Sequence, residues 1–251
     1  MEPDRTTGGA EDLTGWIAQL YEDPELLRMG HNQRADDLNL GLGWLYYGLA
    51  RILRPRHVVV IGSYRGFVPL VLAKGLSDNL EPGEVTFVDP SLVDDFWKDQ
   101  RTVDEYLRDL GVDNLRHHLT TTQEFVETAA YRELEQIGLV FIDGHHSAEQ
   151  ARFDYRAFGD RLAPRGIVLF HDSMIRRPSN MYGIEGRYDI RVKDFVDELK
   201  CDPGLQVFDL PFGTGLTLVR KLDGAAAEPL LLKDPKLSAD WRPGRAVGGG
   251  R

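Results

Sequence analysis

The chain has 251 residues, with 30 Lys and Arg against 40 Asp and Glu, for a formal net charge of −10 at pH 7. Apolar residues make up 42% and charged residues 28%, the balance of one soluble globular domain that buries its core without a disulfide framework. The acidic excess argues against a nucleic-acid or membrane-surface binder, and a single cysteine, Cys201, excludes an intrachain disulfide and a Cys-rich zinc site.

The start, MEPDRTTGGAEDL, is polar and acidic, without signal-peptide character. The apolar runs are strand-sized, too short to span a bilayer, so a cytoplasmic protein is expected. The first dozen residues are expected to lack structure. Leu38, Leu42, Leu45, Leu49 and Ile52 recur at steps of three and four, which predicts a helix from Leu38 to Ile52 with those residues on one face. Residues 1–54 thus form an N-terminal extension, its Trp44-Leu45-Tyr46-Tyr47 patch serving either as a lid or as a subunit contact.

A repeating pattern follows. Val58–Ile61 is a wholly apolar run, as in a parallel strand buried on both faces, and Phe67–Leu76 reads as the next helix. Val85–Val88 is a second strand ending at Asp89, and Val93–Leu110 a helix closed by Gly111. Leu115–Leu119 is a third strand and Thr122–Ala130 a third crossover helix. Leu139–Ile142 is a fourth strand. The helix after it carries Ala151, Tyr155, Phe158 and Leu162 on one face, with Ser147 as its cap. Ile167–Phe170 is a fifth strand, and Val192, Phe195, Val196 and Leu199 mark another helix. Leu205–Leu210 and Leu216–Val219 are joined by Pro211–Gly215 as an antiparallel hairpin.

Alternating strands and helices imply an α/β, Rossmann-like doubly wound sheet of seven strands, mostly parallel with an antiparallel C-terminal strand. This domain covers residues 55–222. Residues 223–251 form a tail, expected to be loose from Asp234 onward.

Ligands of such a sheet sit beyond the carboxyl ends of its strands. The polar residues there are Gly62–Gly66, Asp89–Ser91, Thr120–Gln123, Asp143–His146 and His171–Ser173. Gly62 and Gly66 allow a sharp turn and a close backbone approach, although G-x-G-x-x-G is absent. Asp89 stands where an acid can accept both ribose hydroxyls, or it caps a following helix. Together these three favour a nucleoside-containing cofactor. His145 reads as a solvated loop residue, and His117 and His118 as structural. Arg176, Arg177, Arg187 and Arg191 follow the fifth strand beside Tyr182, either as a site for an anionic substrate or as a solvated surface. Phe96 and Trp97 form an apolar wall over the acceptor or anchor their helix to the sheet.

Strand-Gly-x-x-x-Gly-helix, then strand-Asp, then FIDGHHS, then LAPRGIVLFHDS resembles a class I S-adenosylmethionine-dependent methyltransferase over Val58–Arg220. The nearest branch joins metal-dependent sugar O-methyltransferases of antibiotic pathways and cephalosporin hydroxylase-like proteins. The resemblance implies Gly62, Ser63, Arg65 and Gly66 around the methionine end of S-adenosylmethionine. It implies Asp89 on the ribose with Ser91 nearby, and Thr122 and Gln123 at the adenine edge. Asp143 and Asp172 fall at the position of a divalent cation, Mg2+ or Mn2+, and His146 at that of a general base. His171 replaces the usual acid, so a set of Asp143, His171 and Asp172 also admits Fe2+ or Zn2+.

The activity so implied is O-methylation of a sugar, nucleotide-sugar or natural-product hydroxyl. Catalysis would rest on His146 and Asp143, and Arg176, Arg177 and Tyr182 would hold a small, anionic acceptor. A homo-oligomer is expected. The alternatives are an iron-dependent oxygenase on the same fold and a non-catalytic cofactor-binding protein.

Overall fold

A computed structural model describes residues 9–28 and 30–222. The expected loose tail lies outside the described residues. Helix α1 (Gly9–Leu20), a 3-10 turn (Pro24–Leu27) and helix α2 (Gly43–Leu53) precede the sheet. Then come β1 (His57–Ile61), α3 (Phe67–Ser77), β2 (Glu84–Val88), α4 (Gln100–Asp109) and β3 (Leu115–His118). They are followed by α5 (Thr122–Phe125), α6 (Ala129–Glu133), β4 (Ile137–Ile142), α7 (Ala148–Gly159) and β5 (Leu162–His171). A small hairpin, β6 (Arg177–Ser179) with β7 (Tyr188–Ile190), precedes α8 (Val192–Leu199), β8 (Leu205–Leu210) and β9 (Leu216–Lys221).

The seven-stranded sheet runs β3-β2-β1-β4-β5-β9-β8. All pairs are parallel except those of β9, which lies antiparallel between β5 and β8. Strand order reverses between β1 and β4, which places their carboxyl-end loops side by side.

Alternation along each central strand divides the core in two. Val58, Val60, Phe87, Leu139, Phe141 and Leu169 face α1–α4, while Val59, Ile61, Val140, Ile142, Val168 and Phe170 face α5–α8. A strand buried on both faces has to be apolar at every position, and β4 is buried throughout.

Four helices depart from the periodicity, among them α7, which ends at Gly159 and leaves Leu162 to β5. The helix expected from Leu38 begins at Gly43, because Leu38 has left-handed backbone (φ +54°) in a turn. Its buried face carries Tyr46 and Ala50, and Ile52 is 76% exposed. The Val93–Leu110 segment is a 3-10 turn (Phe96–Lys98) followed by α4, whose N-terminus Asp99 caps through the amides of Arg101 and Thr102. Thr122–Ala130 divides into α5 and α6, capped by Thr121 and Thr128. The N-terminus, expected to be unstructured over a dozen residues, is helical from Gly9. Trp16, Ile17, Leu20, Leu26 and Leu40 lie in the same core as α3.

Candidate active site

A cavity of about 510 Å3 opens at the carboxyl ends of β1, β2, β4 and β5, within the usual size range of small-molecule sites. Gly62 opens the loop after β1 with φ +66°, and a Cβ there would lie 2.4 Å from the Asp143 carbonyl oxygen. Glycine is therefore what lets the β1 and β4 loops touch. Gly66 (φ +98°) abuts the Trp97 ring, which a Cβ would meet at 2.5 Å.

Gly62, Ser63, Asp89, Ser91, Thr122, Gln123, Asp143, His146, His171, Asp172, Arg177 and Tyr182 line the cavity; Arg65, Gly66 and Arg176 do not. Arg65 instead bridges Asp23 (2.7 Å) and Asp94 (3.2 Å) with its guanidinium over Phe96, and Tyr64 takes its place at the cavity. Arg176 is tied to Asp194 at 2.5 Å, and Arg191 pairs with the same carboxylate. Trp97 is buried and donates to the Tyr64 carbonyl at 3.0 Å, so it anchors the loop and does not wall the cavity.

Asp89 caps no helix. Its carboxylate accepts from the amides of Ser91 (2.6 Å) and Ser63 (3.2 Å), fixing it between two loops. Burial raises its pKa despite those bonds. Thr122 and Gln123 begin α5 beside α7, where Gln123 donates to Gln150 at 2.7 Å. Ser147 caps α7 by accepting from the Gln150 amide, as its position implies.

The densest chemistry lies at the ends of β4 and β5. His146 Nε2 stands 3.1 Å from Asp143 Oδ1 and 3.4 Å from Asp172 Oδ2, and Nδ1 contacts the Tyr188 hydroxyl at 3.1 Å. Asp172 has left-handed backbone (φ +52°), a conformation that persists in a non-glycine residue where its surroundings impose it. Asp143, His146 and Asp172 present ligand atoms all within 4.8 Å of one another. The group that converges thus contains His146 in the place expected for His171.

His171 lies behind that group, its Nδ1 2.9 Å from Asp143 Oδ1 and its buried Nε2 without a protein partner. Burial disfavours charge on Asp143, but His171 and His146 outweigh it and hold the carboxyl well below the usual range. The converse holds for His171, where burial lowers the pKa and Asp143 more than restores it.

Several residues at the site carry no sequence signal. Arg28 and Gly30 border the cavity from the N-terminal segment, and Gln150 and Asp154 from α7. His145 is stacked with Tyr188 at 4.3 Å and with Tyr182 at 5.8 Å, which removes it from the class of free loop residues.

A family model described as "Methyltransferase domain" matches residues 59–173, from β1 to the end of β5. This segment is therefore similar to a methyltransferase domain. An alignment of 149 residues is 26% identical to the uncharacterized protein y4gI of Sinorhizobium fredii. It covers 53% of this chain and 15% of that protein, so the chain spans a small part of the curated relative it matches.

Solved structures share the fold of the seven-stranded sheet and its helices. A Corynebacterium glutamicum protein aligns with TM-score 0.59 at 21% identity, over 84% of this chain and 92% of that one. The O-methyltransferase TomG of Streptomyces achromogenes, solved with S-adenosylmethionine, aligns with TM-score 0.57 at 16% identity, over 86% and 92%. A Bacillus cereus O-methyltransferase in complex with S-adenosylhomocysteine aligns with TM-score 0.58 at 15% identity, over 86% and 94%.

Proposed function

We propose that the chain is an S-adenosylmethionine-dependent O-methyltransferase acting on a hydroxyl of a small polar metabolite. The observation that carries this reading is a shared space: one cavity holds the Gly62 loop and Asp89 together with Asp143, His146 and Asp172. A methyl donor and a group able to acidify a hydroxyl would therefore meet. Asp89 would accept the ribose hydroxyls, its orientation already set by two amides. Thr122 and Gln123 would border the adenine, and Ser63 and Tyr64 the methionine end. Alignment of donor and acceptor supplies about 7–11 kcal/mol in well-oriented reactions, which a sulfonium donor needs more than covalent help.

Asp143, His146 and Asp172 fit a divalent cation. With bonds near 2.1 Å and octahedral geometry, neighbouring ligands stand roughly 3 Å apart, which suits the 3.1 and 3.4 Å separations about His146 Nε2. Two carboxylates and one imidazole suit Mn2+ better than the all-oxygen shell typical of Mg2+. Bound there, the cation would lower the pKa of the acceptor hydroxyl. Tyr188 would fix the His146 ring from its far nitrogen, as partners of ligating histidines do. Iron oxygenases of the facial-triad kind use two imidazoles and one carboxylate, the reverse of this set.

A metal-free reading is supported by the two carboxylates beside His146. In it, Nε2 turns from Asp143 to take the hydroxyl proton, and Asp143 and Asp172 stabilise the imidazolium so formed. Arg177 is the one arginine among Arg176, Arg177 and Arg191 that lines the cavity, and it would meet an anionic group on the acceptor.

The readings separate by measuring S-adenosylhomocysteine released from S-adenosylmethionine and hydroxylated acceptors before and after chelation. Loss on chelation with recovery on adding Mn2+ supports the cation. Turnover that survives chelation but disappears in His146→Ala supports the base. Release no faster than in Asp143→Ala and Asp172→Ala contradicts catalysis at this site.

A further inference from the structure

His31 lies outside the matched domain, in the loop between the Pro24–Leu27 turn and α2, yet it is only 1% exposed. Its ring stacks on Phe67 (5.3 Å, 24°), meets Tyr46 edge-on (5.6 Å, 84°) and sits 4.6 Å from the His171 ring. Its carbonyl accepts from the Leu42 amide at 2.7 Å, and a Cβ on Gly41 (φ +58°) would lie 2.2 Å from that oxygen. Side chain and backbone are therefore both held.

The held ring faces Asp143. Oδ1 of that carboxylate contacts His146 and His171, while Oδ2 faces His31 Nε2 at 4.0 Å. On its other side, His31 Nδ1 is 3.1 Å from the Tyr46 hydroxyl. A hydroxyl proton donated to Nδ1 leaves the ring's own proton on Nε2, 4.0 Å from the carboxylate oxygen, where it acts on Asp143 electrostatically and without a direct hydrogen bond. His31 does not line the cavity, so it acts on ligands through Asp143 and the adjoining His171, which itself contacts Asp143.

We infer that His31, oriented by Tyr46, is a positioning residue that holds Asp143 in the attitude required for the cation. The inference rests on the cation reading above. It also makes the N-terminal segment part of the catalytic structure. A ring that merely filled the core would be replaceable by another of similar shape without effect on Asp143.

The test is calorimetric titration of Mn2+ into the 251-residue chain and the variants His31→Phe, His31→Gln and Tyr46→Phe, with melting temperatures and S-adenosylhomocysteine affinities alongside. Loss of a partner behind a metal ligand costs about 10–100-fold in metal affinity. We expect a loss of that size in His31→Phe and a smaller one in Tyr46→Phe. His31→Gln, whose amide N–H can face Oδ2, should recover most of it, and S-adenosylhomocysteine affinity should stay within about twofold throughout. Equal Mn2+ affinity in wild type and His31→Phe overturns the inference and leaves the cation reading intact. A wild type that binds no Mn2+ overturns both. Should His31→Phe fail to fold, unchanged affinity in Tyr46→Phe is itself contradictory.

Discussion

Asp89 and Arg177 make the sharpest claims for single side chains. The Asp89 carboxylate, fixed by the Ser63 and Ser91 amides, is the proposed acceptor for a ribose. A hydrogen bond to a charged group contributes about 1.5–3 kcal/mol. Asp89→Asn should therefore weaken S-adenosylhomocysteine binding by roughly 10–100-fold, with little change in fold; calorimetry showing an unaltered Kd removes Asp89 from the ribose. The arginines predict an asymmetry. Arg177→Ala should raise KM for an anionic acceptor several-fold, whereas Arg176→Ala, which releases only the α8 carboxylates of Asp194 and Asp197, should leave KM unchanged. Equal effects from both would show that the loop acts as a diffuse charge. The asymmetry is invisible in sequence, because adjacent arginines look alike until Asp194 takes one of them. Arg65 and Tyr64 pose the same difficulty, since neighbouring residues in a turn point opposite ways.

For the elements, legibility followed burial. Strands β1, β2, β4 and β5 are buried on both faces, so their apolar runs mark them without ambiguity, and the polar residue ending each run marks the rim of the site. Asp89, Asp143, His146 and Asp172 were readable for that reason. Helix starts were less so: Leu42, Leu45 and Leu49 fit a helical period, but the turn about Gly41 and the cap by Asp99 set where chains enter helices. The N-terminal segment was opaque, because its role depends on contacts across more than a hundred residues, as with His31 and Asp143. That segment is pinned to the Gly62–Gly66 loop by Arg65–Asp23 and by the Tyr64 hydroxyl donating to Glu25 at 2.7 Å. Arg65→Ala should speed proteolysis between residues 22 and 42 and lower S-adenosylhomocysteine affinity a few-fold. An unchanged cleavage rate would mean that core packing alone holds the segment.

The molecule as a whole titrates in a way set by buried groups, and Asp154 is the clearest case. Burial raises its pKa to about 7, even though Gln150 and Thr122 bond to it. A folded-state pKa above the unfolded one means that the native state holds a proton which the unfolded state has lost. The stability Asp154 contributes is therefore complete below about 4 and is lost as pH rises through about 7. Asp154→Asn, which cannot ionise, should gain stability relative to wild type across that window and then level off. A constant difference between the two urea midpoints from pH 4 to pH 8 would contradict the assignment.

No helix among the described residues is long and apolar enough to cross a membrane. What they do form is a sheet whose strand order reverses over the Gly62 and Asp143 loops, and the functional reading depends on what binds there. The direct measurement is calorimetric titration of S-adenosylhomocysteine into wild type and Asp89→Asn. Saturable one-to-one binding, weakened in the variant, is the expected result. Absence of heat at millimolar ligand, or identical binding by both proteins, would contradict a cofactor site at the reversal point.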